Sequence, residues 1–183
     1  GRQPVAVVAR DLDGDRRVDI AVANRRDHSI SVLHQRVGVR HRMLHDRFRP
    51  PQTIALPSEP ASLFVARLDQ GTRRDLVVVS HSGGTVYGLL NNGRHFSQPF
   101  ATALPGAPAA VTLADLNGDD LDDIAWCDGT SAVVIVHYAT GNGAYGGSVT
   151  HVLPDVPNSL RCINANSDQV MDLVTANGAS ANA

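Results

Sequence analysis

The chain has 183 residues and a formal net charge of −2, so no overall basic field favours nucleic-acid binding. All 16 basic residues are arginine, and aspartate far outnumbers glutamate. Either biased codon usage or an oxygen-rich metal protein would produce that composition. No apolar run approaches the ~20 residues that a membrane-spanning helix needs, and we therefore predict no membrane span.

Short motifs recur along the chain at a nearly constant spacing. LPSEP, LPGAP and LPDVP begin at Leu56, Leu104 and Leu153, which gives a period of 48 to 49 residues. An aromatic residue stands eight positions before each motif: Phe48, Phe96 and Tyr145. Short β-prone runs between Gly, Asn and Pro clusters at this period are typical of one four-stranded propeller blade per repeat.

The predicted fold is therefore all-β, a partial β-propeller of about three and a half four-stranded blades within residues 1–183. The repeats span about residues 4–60, 61–108, 109–157 and 158–183. In the third repeat we predict strands at 109–114, 123–127, 132–138 and 148–153, with GNGAYGG forming the turn before the last strand. An open array leaves pairing edges exposed, so closure is expected to require further blades of a longer protein or another copy.

Aspartate-rich loops precede the second strand of the first and third repeats. Loop 1 (residues 11–19) reads DLDGDRRVD, and loop 3 (residues 115–123) reads DLNGDDLDD. Oxygen side chains at positions 1, 3, 5 and 9 point inward from a tight curl that glycine at position 4 permits, and position 7 offers a backbone carbonyl. Such hard oxygen ligands suit Ca²⁺ better than Mg²⁺. The loops contain no nitrogen or sulfur donors, which disfavours zinc. The alternative is a solvated Asx-turn.

The loop pattern, the Gly-Asn-Gly-aromatic turn and the LPxxP segment together resemble the FG-GAP/VCBS repeats of integrin-α-like propellers, which act in cell adhesion. The resemblance covers essentially the whole chain. It implies that each such loop joins the first two strands of a blade and binds Ca²⁺. The ligands it implies are Asp11, Asp13, Asp15, the Arg17 carbonyl and Asp19 in loop 1, and Asp115, Asn117, Asp119, the Leu121 carbonyl and Asp123 in loop 3. Many members have glycine at position 6, where this chain has Arg16 and Asp120, so some loop strain is expected.

The second and fourth repeats depart from this pattern. Loop 2 (residues 67–75) has lost its oxygens at positions 1 and 5, and we expect the Arg67 guanidinium to replace the ion by pairing with Asp69 or Asp75. Loop 4 (residues 164–172) keeps oxygens at all four positions with fewer charges, so it is a candidate for a third, weaker calcium site. Its ligands would be Asn164, Asn166, Asp168 and Asp172.

An insertion within residues 34–49 is rich in Arg and His. It is either a cationic patch for an anionic glycan, phosphate group or acidic protein surface, or an ordinary solvated loop. His41 and His45 form at most a weak metal pair. Cys127 and Cys162 are either one bridge between repeats or two buried thiols, and the second reading is favoured.

The sequence favours a non-catalytic, calcium-stabilised recognition module that binds a protein or glycan. His81, Ser82 and Asp75 lack the nucleophile-elbow context of a hydrolase. Trp126 is expected to pack inside a blade rather than form a sugar platform. The alternatives are a propeller lectin and an accessory domain of a larger secreted enzyme or toxin. An extracellular or cell-surface location is expected because extracellular calcium sites often bind near the millimolar range.

Overall fold

The computed structural model describes residues 1–36, 47–80, 82–93, 95–105, 108–166, 168 and 170–177. Within these residues the chain forms three four-stranded antiparallel sheets and one two-stranded sheet, each a simple up-and-down meander. Blade 1 contains β1 (Pro4–Arg10), β2 (Asp19–Asn24), β3 (Ser29–Leu33) and β4 (Gln52–Ala55). Blade 2 contains β5 (Ser62–Ala66), β6 (Asp75–Ser80), β7 (Thr85–Leu89) and β8 (Phe100–Ala103). Blade 3 contains β9 (Ala110–Ala114), β10 (Asp123–Cys127), β11 (Val133–Ala139) and β12 (Tyr145–Val152), and half-blade 4 contains β13 (Pro157–Ile163) and β14 (Asp172–Asn177).

The all-β, partial-propeller prediction is confirmed. The predicted strands of blade 3 agree closely with the structure, except that β12 begins three residues earlier than expected, at Tyr145. Tyr145 pairs with Ala139 across a register shift, so the sheet extends into the glycine-rich turn. Gly141 and Gly143 have φ angles of 80° and 87°, as that turn requires.

Neighbouring blades pack face to face through the alternating side chains of their second strands. In β6 every residue is buried, and its sequence, DLVVVS, is a nearly continuous apolar run rather than an alternation of apolar and polar residues. Leu76 and Val78 join the core between blades 1 and 2, while Val77 and Val79 join the core between blades 2 and 3. Side chains of a strand alternate between its two faces, which is why one short run serves two cores.

The LPxxP motif marks the point where each outer strand returns to the preceding turn. The backbone N–H of its leucine donates to a carbonyl in the connection between the second and third strands. These hydrogen bonds run from Leu56 to His28 (2.7 Å), from Leu104 to Gly84 (2.7 Å) and from Leu153 to Ala132 (2.8 Å). The motif therefore closes each four-stranded blade at one end, and the aspartate loops lie at the start of each second strand.

Candidate metal-binding loops

The aspartate at position 9 of each loop anchors the loop to its blade. One carboxylate oxygen accepts the N–H of position 2, and in blades 1 to 3 the other accepts the N–H of the residue sixteen positions further on. The first set of distances is 2.9 Å for Leu12 to Asp19, 2.8 Å for Leu68 to Asp75, 3.0 Å for Leu116 to Asp123 and 2.9 Å for Ala165 to Asp172. The second set is 2.8 Å for Gln35 to Asp19, 2.8 Å for Asn91 to Asp75 and 2.9 Å for Ala139 to Asp123.

These hydrogen bonds give the position-9 aspartate a structural role that does not depend on metal. Asp75 is 1% exposed and keeps both bonds, although loop 2 lacks the acids at positions 1 and 5. The residue that donates the second bond also pairs with the aromatic marker of its blade. These pairs are Gln35 with Phe48, Asn91 with Phe96 and Ala139 with Tyr145. The recurring aspartate and the recurring aromatic therefore fix the same corner of each blade.

Loop 1 curls so that its first three acidic side chains converge. The carboxylates of Asp11, Asp13 and Asp15 can each offer one oxygen within 4.8 Å of the others. Asp11 accepts the N–H groups of Gly14 and Arg16, both at 2.7 Å, and these bonds draw the backbone around the carboxylate. Such a curl is what a chelating loop for a hard cation requires.

Position 6 of loops 1 and 3 has the strain expected for a residue that is not glycine. Arg16 and Asp120 have φ angles of 66° and 68°, in the left-handed region. A side chain in this region costs about 1 kcal/mol or more, because its Cβ crowds the following carbonyl. The glycines at position 4, Gly14 and Gly118, adopt similar angles without that cost.

The negative charge in loop 1 is only partly compensated. Burial raises the pKa of the Asp13 carboxyl, and the nearby charges of Asp19 and Asp15 raise it further. Arg17 places Nη1 2.9 Å from Asp15 Oδ2, so one arginine shares the charge of one carboxylate. A cation among the carboxylates would relieve the remaining repulsion.

An imidazole that the sequence analysis missed lies against loop 1. His34 directly follows β3, and its Nδ1 is 3.2 Å from Asp19 Oδ2 and 3.8 Å from Asp13 Oδ2. Loop 1 itself contains no imidazole or thiol, but His34 brings an imidazole to it from the end of β3. His34 is fifteen positions beyond Asp19 and reaches the loop through the pairing of β2 with β3.

Loop 3 repeats the curl of loop 1 with a more exposed set of oxygens. Asp115 accepts the N–H groups of Gly118 (2.7 Å) and Asp120 (2.9 Å), as Asp11 does in loop 1. The Asn117 amide donates to Asp119 Oδ2 at 3.1 Å. Burial raises the pKa of Asp123, and the charges of Asp119 and Asp115 raise it further. Across the described residues, both clusters of three acidic or histidine ligands within 4.8 Å involve loop 1, whereas loop 3 has the amide of Asn117 in place of the carboxylate at position 3.

The expected pairing of Arg67 with an acid of its own loop is wrong. The guanidinium does not pair within its own loop: Nη1 lies 3.3 Å from the Asp120 carbonyl and 3.5 Å from Asp120 Oδ1. The backbone of Arg67 also exchanges hydrogen bonds with Asp122, whose Oδ2 accepts the Arg67 N–H at 2.6 Å. Loops of adjacent blades lie side by side, and the nearest acids to Arg67 therefore belong to loop 3. Arg67 links blades 2 and 3.

Loop 4 is described except for residues 167 and 169. Asn166 Nδ2 donates to Asp168 Oδ2 at 2.8 Å, and Asp168 Oδ1 accepts the N–H of Val170 at 2.9 Å. Asp172 anchors the loop as in the other repeats, and Asn164 precedes the curl. The exposed positions and two formal charges leave loop 4 the weakest of the three predicted calcium sites, and its role as a ligand set stays a prediction.

The donor chemistry of loops 1 and 3 fits a divalent cation. Loop 1 gathers three half-buried carboxylates, and loop 3 offers two carboxylates and an amide oxygen in the same backbone curl. Asp19 and Asp123 already hold backbone N–H groups, so their carboxylates are oriented before any ion arrives. The carbonyls of Arg17 and Leu121 stay predicted ligands.

Asp75 provides a pH-dependent test of the anchoring role. Burial raises its pKa to about 6, against hydrogen bonds from Leu68 and Asn91 that lower it. The folded chain therefore binds this proton more tightly than the unfolded chain. The resulting stability is fully present below about pH 4 and is lost as the pH rises through about 6.

We expect the urea midpoint of the wild type, measured in the presence of a chelator, to decrease as the pH rises from 4 to 7. The midpoint of Asp75→Asn should decrease less over the same pH range. The difference isolates Asp75 from the other carboxyls, which titrate in both proteins. Parallel pH profiles for the two proteins would contradict the assignment.

The predictions for Trp126, for the two cysteines and for the insertion have different outcomes. Trp126 is 1% exposed and lies in the core between blades 2 and 3, which confirms its packing role. Cys127 and Cys162 are free thiols, the first buried and the second half-buried. The two ends of the insertion pair, with the Arg36 N–H donating to the Arg47 carbonyl at 2.6 Å. Residues 37–46, which include His41 and His45, lie outside the described residues, as does His81.

Comparison with known proteins shows which repeats and structures this chain resembles. A family model described as an FG-GAP-like repeat matches residues 68–126, from loop 2 through loop 3 into β10. No curated protein sequence matches the chain. The described part of the chain contains no helix that is long and apolar enough to cross a membrane.

Two solved structures share the fold. The crystal structure of BBS1N in complex with ARL6DN, soaked with lead, has a TM-score of 0.60 at 18% identity, covering 94% of this chain and 45% of that chain. The same complex soaked with mercury has a TM-score of 0.55 at 17% identity, covering 87% and 43%. The chain thus spans less than half the length of these neighbours, and at such identities the likeness concerns the fold alone. Residues 68–126 thus match an FG-GAP-like repeat, and the described residues form an open array of β-propeller blades.

Proposed function

We propose that this chain is a calcium-binding FG-GAP/VCBS-type propeller module that serves as a non-catalytic extracellular scaffold for recognising a protein or glycan. One observation carries the proposal: loop 1 gathers the carboxylates of Asp11, Asp13 and Asp15 within 4.8 Å of one another. The same backbone curl, with glycine at position 4 and a left-handed residue at position 6, recurs in loop 3.

The residues of each loop would divide the work of holding the ion. Asp11, Asp13 and Asp15 supply charge and direct oxygens, and the anchored Asp19 holds the loop against β2. Asp115, Asn117, Asp119 and Asp123 have the matching positions in loop 3. A bound calcium ion would supply a rigid cross-link between the loop and the start of the second strand.

A protein is the favoured partner class. Trp126 is buried and cannot serve as a sugar-stacking platform, which weakens the lectin alternative. BBS1N, whose fold is similar, was crystallised in complex with another protein, ARL6DN. An extracellular setting follows from the calcium concentration that exposed sites of this kind need.

Calcium titration with matched variants tests the proposal. We expect the wild type to bind calcium at loops 1 and 3 with dissociation constants of about 0.1–1 mM, the range of extracellular modules. Asp13→Ala should remove one of these ions. Asp69→Ala is the control, because Asp69 occupies position 3 of loop 2 and accepts the Gly71 N–H much as Asp13 accepts that of Asp15.

Isothermal titration calorimetry gives both the stoichiometry and the affinity. An Asp69→Ala titration that matches the wild type, beside an Asp13→Ala titration with one ion fewer, is the expected result. Equal stoichiometry in all three proteins, or no calcium bound at 10-fold above the expected range, would refute the proposal.

A further inference from the structure

The imidazole of His34 faces the carboxylates of Asp19 and Asp13 without a hydrogen bond to either. Both ring nitrogens are buried, and neither makes a hydrogen bond to another residue in the described part of the chain. The 3.2 Å approach of Nδ1 to Asp19 Oδ2 is close enough for a hydrogen bond, yet it lacks the alignment of one. Buried polar groups of folded proteins are nearly always paired, so an unpaired imidazole facing two carboxylates indicates a missing ligand.

The spacing of these three side chains suits metal coordination. Each can offer one ligand atom within 4.8 Å of the other two. The bonds of Zn²⁺ to nitrogen and oxygen are about 2.0–2.2 Å, so neighbouring donors around such an ion lie roughly 3.0–3.5 Å apart. His34 Nδ1 stands 3.2 Å from Asp19 Oδ2, within that range, and 3.8 Å from Asp13 Oδ2, slightly beyond it.

Among the three complete blades, only blade 1 has a side-chain nitrogen donor at the position of His34. In each blade the corresponding residue directly precedes the one whose N–H donates to the position-9 aspartate. Blade 2 has Leu90 there and blade 3 has Tyr138. Loop 3 thus has no imidazole at this place, while loop 1 has two carboxylates and an imidazole.

We propose that Asp13, Asp19 and His34 form a site for a divalent transition metal ion of the Zn²⁺ or Co²⁺ class. Imidazole is a common ligand of these ions, whereas Ca²⁺ takes an all-oxygen shell. This inference goes beyond the proposed function: Asp13 also belongs to the proposed calcium ligands of loop 1, so a transition metal ion held by His34 would compete there with Ca²⁺.

The surroundings of the site provide both orientation and access. Asp19 is held by the N–H groups of Leu12 (2.9 Å) and Gln35 (2.8 Å), so its carboxylate is fixed by outer contacts. A cleft of about 1120 Å³ between blades 1 and 2 is lined by Asp13, His34 and, farther along, His95. An ion has a path from solvent to His34 along this cleft.

Cobalt titration of three proteins tests the assignment. Co²⁺ itself is the probe, followed by its visible d–d absorption and by calorimetry. His34→Leu introduces the residue that blade 2 carries at this position, and His95→Leu removes a histidine that lines the same cleft but is not in either cluster of converging ligands. We expect the Co²⁺ dissociation constant to rise at least tenfold in His34→Leu and to stay within about twofold of the wild type in His95→Leu.

Calcium titration of the same proteins separates this inference from the proposed function. Unchanged calcium binding at loop 3 shows that His34→Leu is folded. Should that variant not fold, ¹⁵N chemical shifts of the His34 ring in the wild type, with and without Zn²⁺, give the answer: a large Nδ1 shift supports the site and an unmoved ring overturns it.

Equal Co²⁺ affinity in wild type and His34→Leu would overturn the inference while leaving calcium binding intact. His34-dependent Co²⁺ binding without any calcium binding would support the inference and remove the proposed function.

Discussion

Asp75→Ala is expected to lower the free energy of unfolding by about 2–4 kcal/mol, with or without calcium. The Asp75 carboxylate accepts the N–H groups of Leu68 and Asn91, both at 2.8 Å, and the side chain is 1% exposed. Removing it leaves two backbone donors unpaired, one in a buried and one in a partly buried hydrogen bond, and each costs about 1–3 kcal/mol. Relief from burying a carboxylate offsets part of this loss, as the raised pKa of Asp75 indicates.

Urea unfolding in chelator measures this effect without any contribution from bound metal. Asp69→Ala is again the matched control, since Asp69 lies in the same loop and accepts only the Gly71 N–H among its described hydrogen bonds. Its cost should stay within about 1 kcal/mol. If the two substitutions destabilise equally, the position-9 aspartate is not the anchor of the blade.

Removal of calcium is expected to lower Tm by about 5–10 °C for each ion lost. An ion present at about 100 times its dissociation constant stabilises the folded state by about 2.7 kcal/mol. For a domain of this length, 1 kcal/mol corresponds to about 2–4 °C. The effect should be largest in the loops whose carboxylates lack counter-charges.

Two variants measure how much of the calcium-dependent change in Tm comes from each loop. Asp13→Ala should retain only the part of the calcium-dependent shift that loop 3 supplies, whereas Asp69→Ala should retain all of it. A wild-type shift that Asp13→Ala leaves undiminished would assign the stabilisation to residues outside loop 1.

The repeat period predicted the fold because each marker has a local structural cause. The LPxxP leucine closes a blade through one backbone hydrogen bond, and the aromatic marker pairs with the residue that anchors the loop. The same regularity did not reveal the anchoring role of the position-9 aspartate, whose role as a metal ligand stays a prediction. Asp75 persists in loop 2, which lacks two acidic ligands, and this was a signal in the sequence that the aspartate also serves the fold.

His34 and Arg67 could not be placed from the sequence, because their contacts depend on three-dimensional proximity. His34 reaches Asp19 only through the register of β2 with β3, fifteen positions away along the chain. Arg67 was expected to pair with an acid of its own loop, yet it pairs with Asp120 of the adjacent blade. Loop spacing indicates the ligands inside one repeat, while contacts between neighbouring strands and blades require the folded structure.

Differential scanning calorimetry of the wild type in saturating calcium and in EDTA tests most directly whether calcium held by loops 1 and 3 stabilises the blades. The account predicts a Tm in EDTA lower by about 10–20 °C if both ions are lost. Superimposable melting curves in calcium and in EDTA would contradict it.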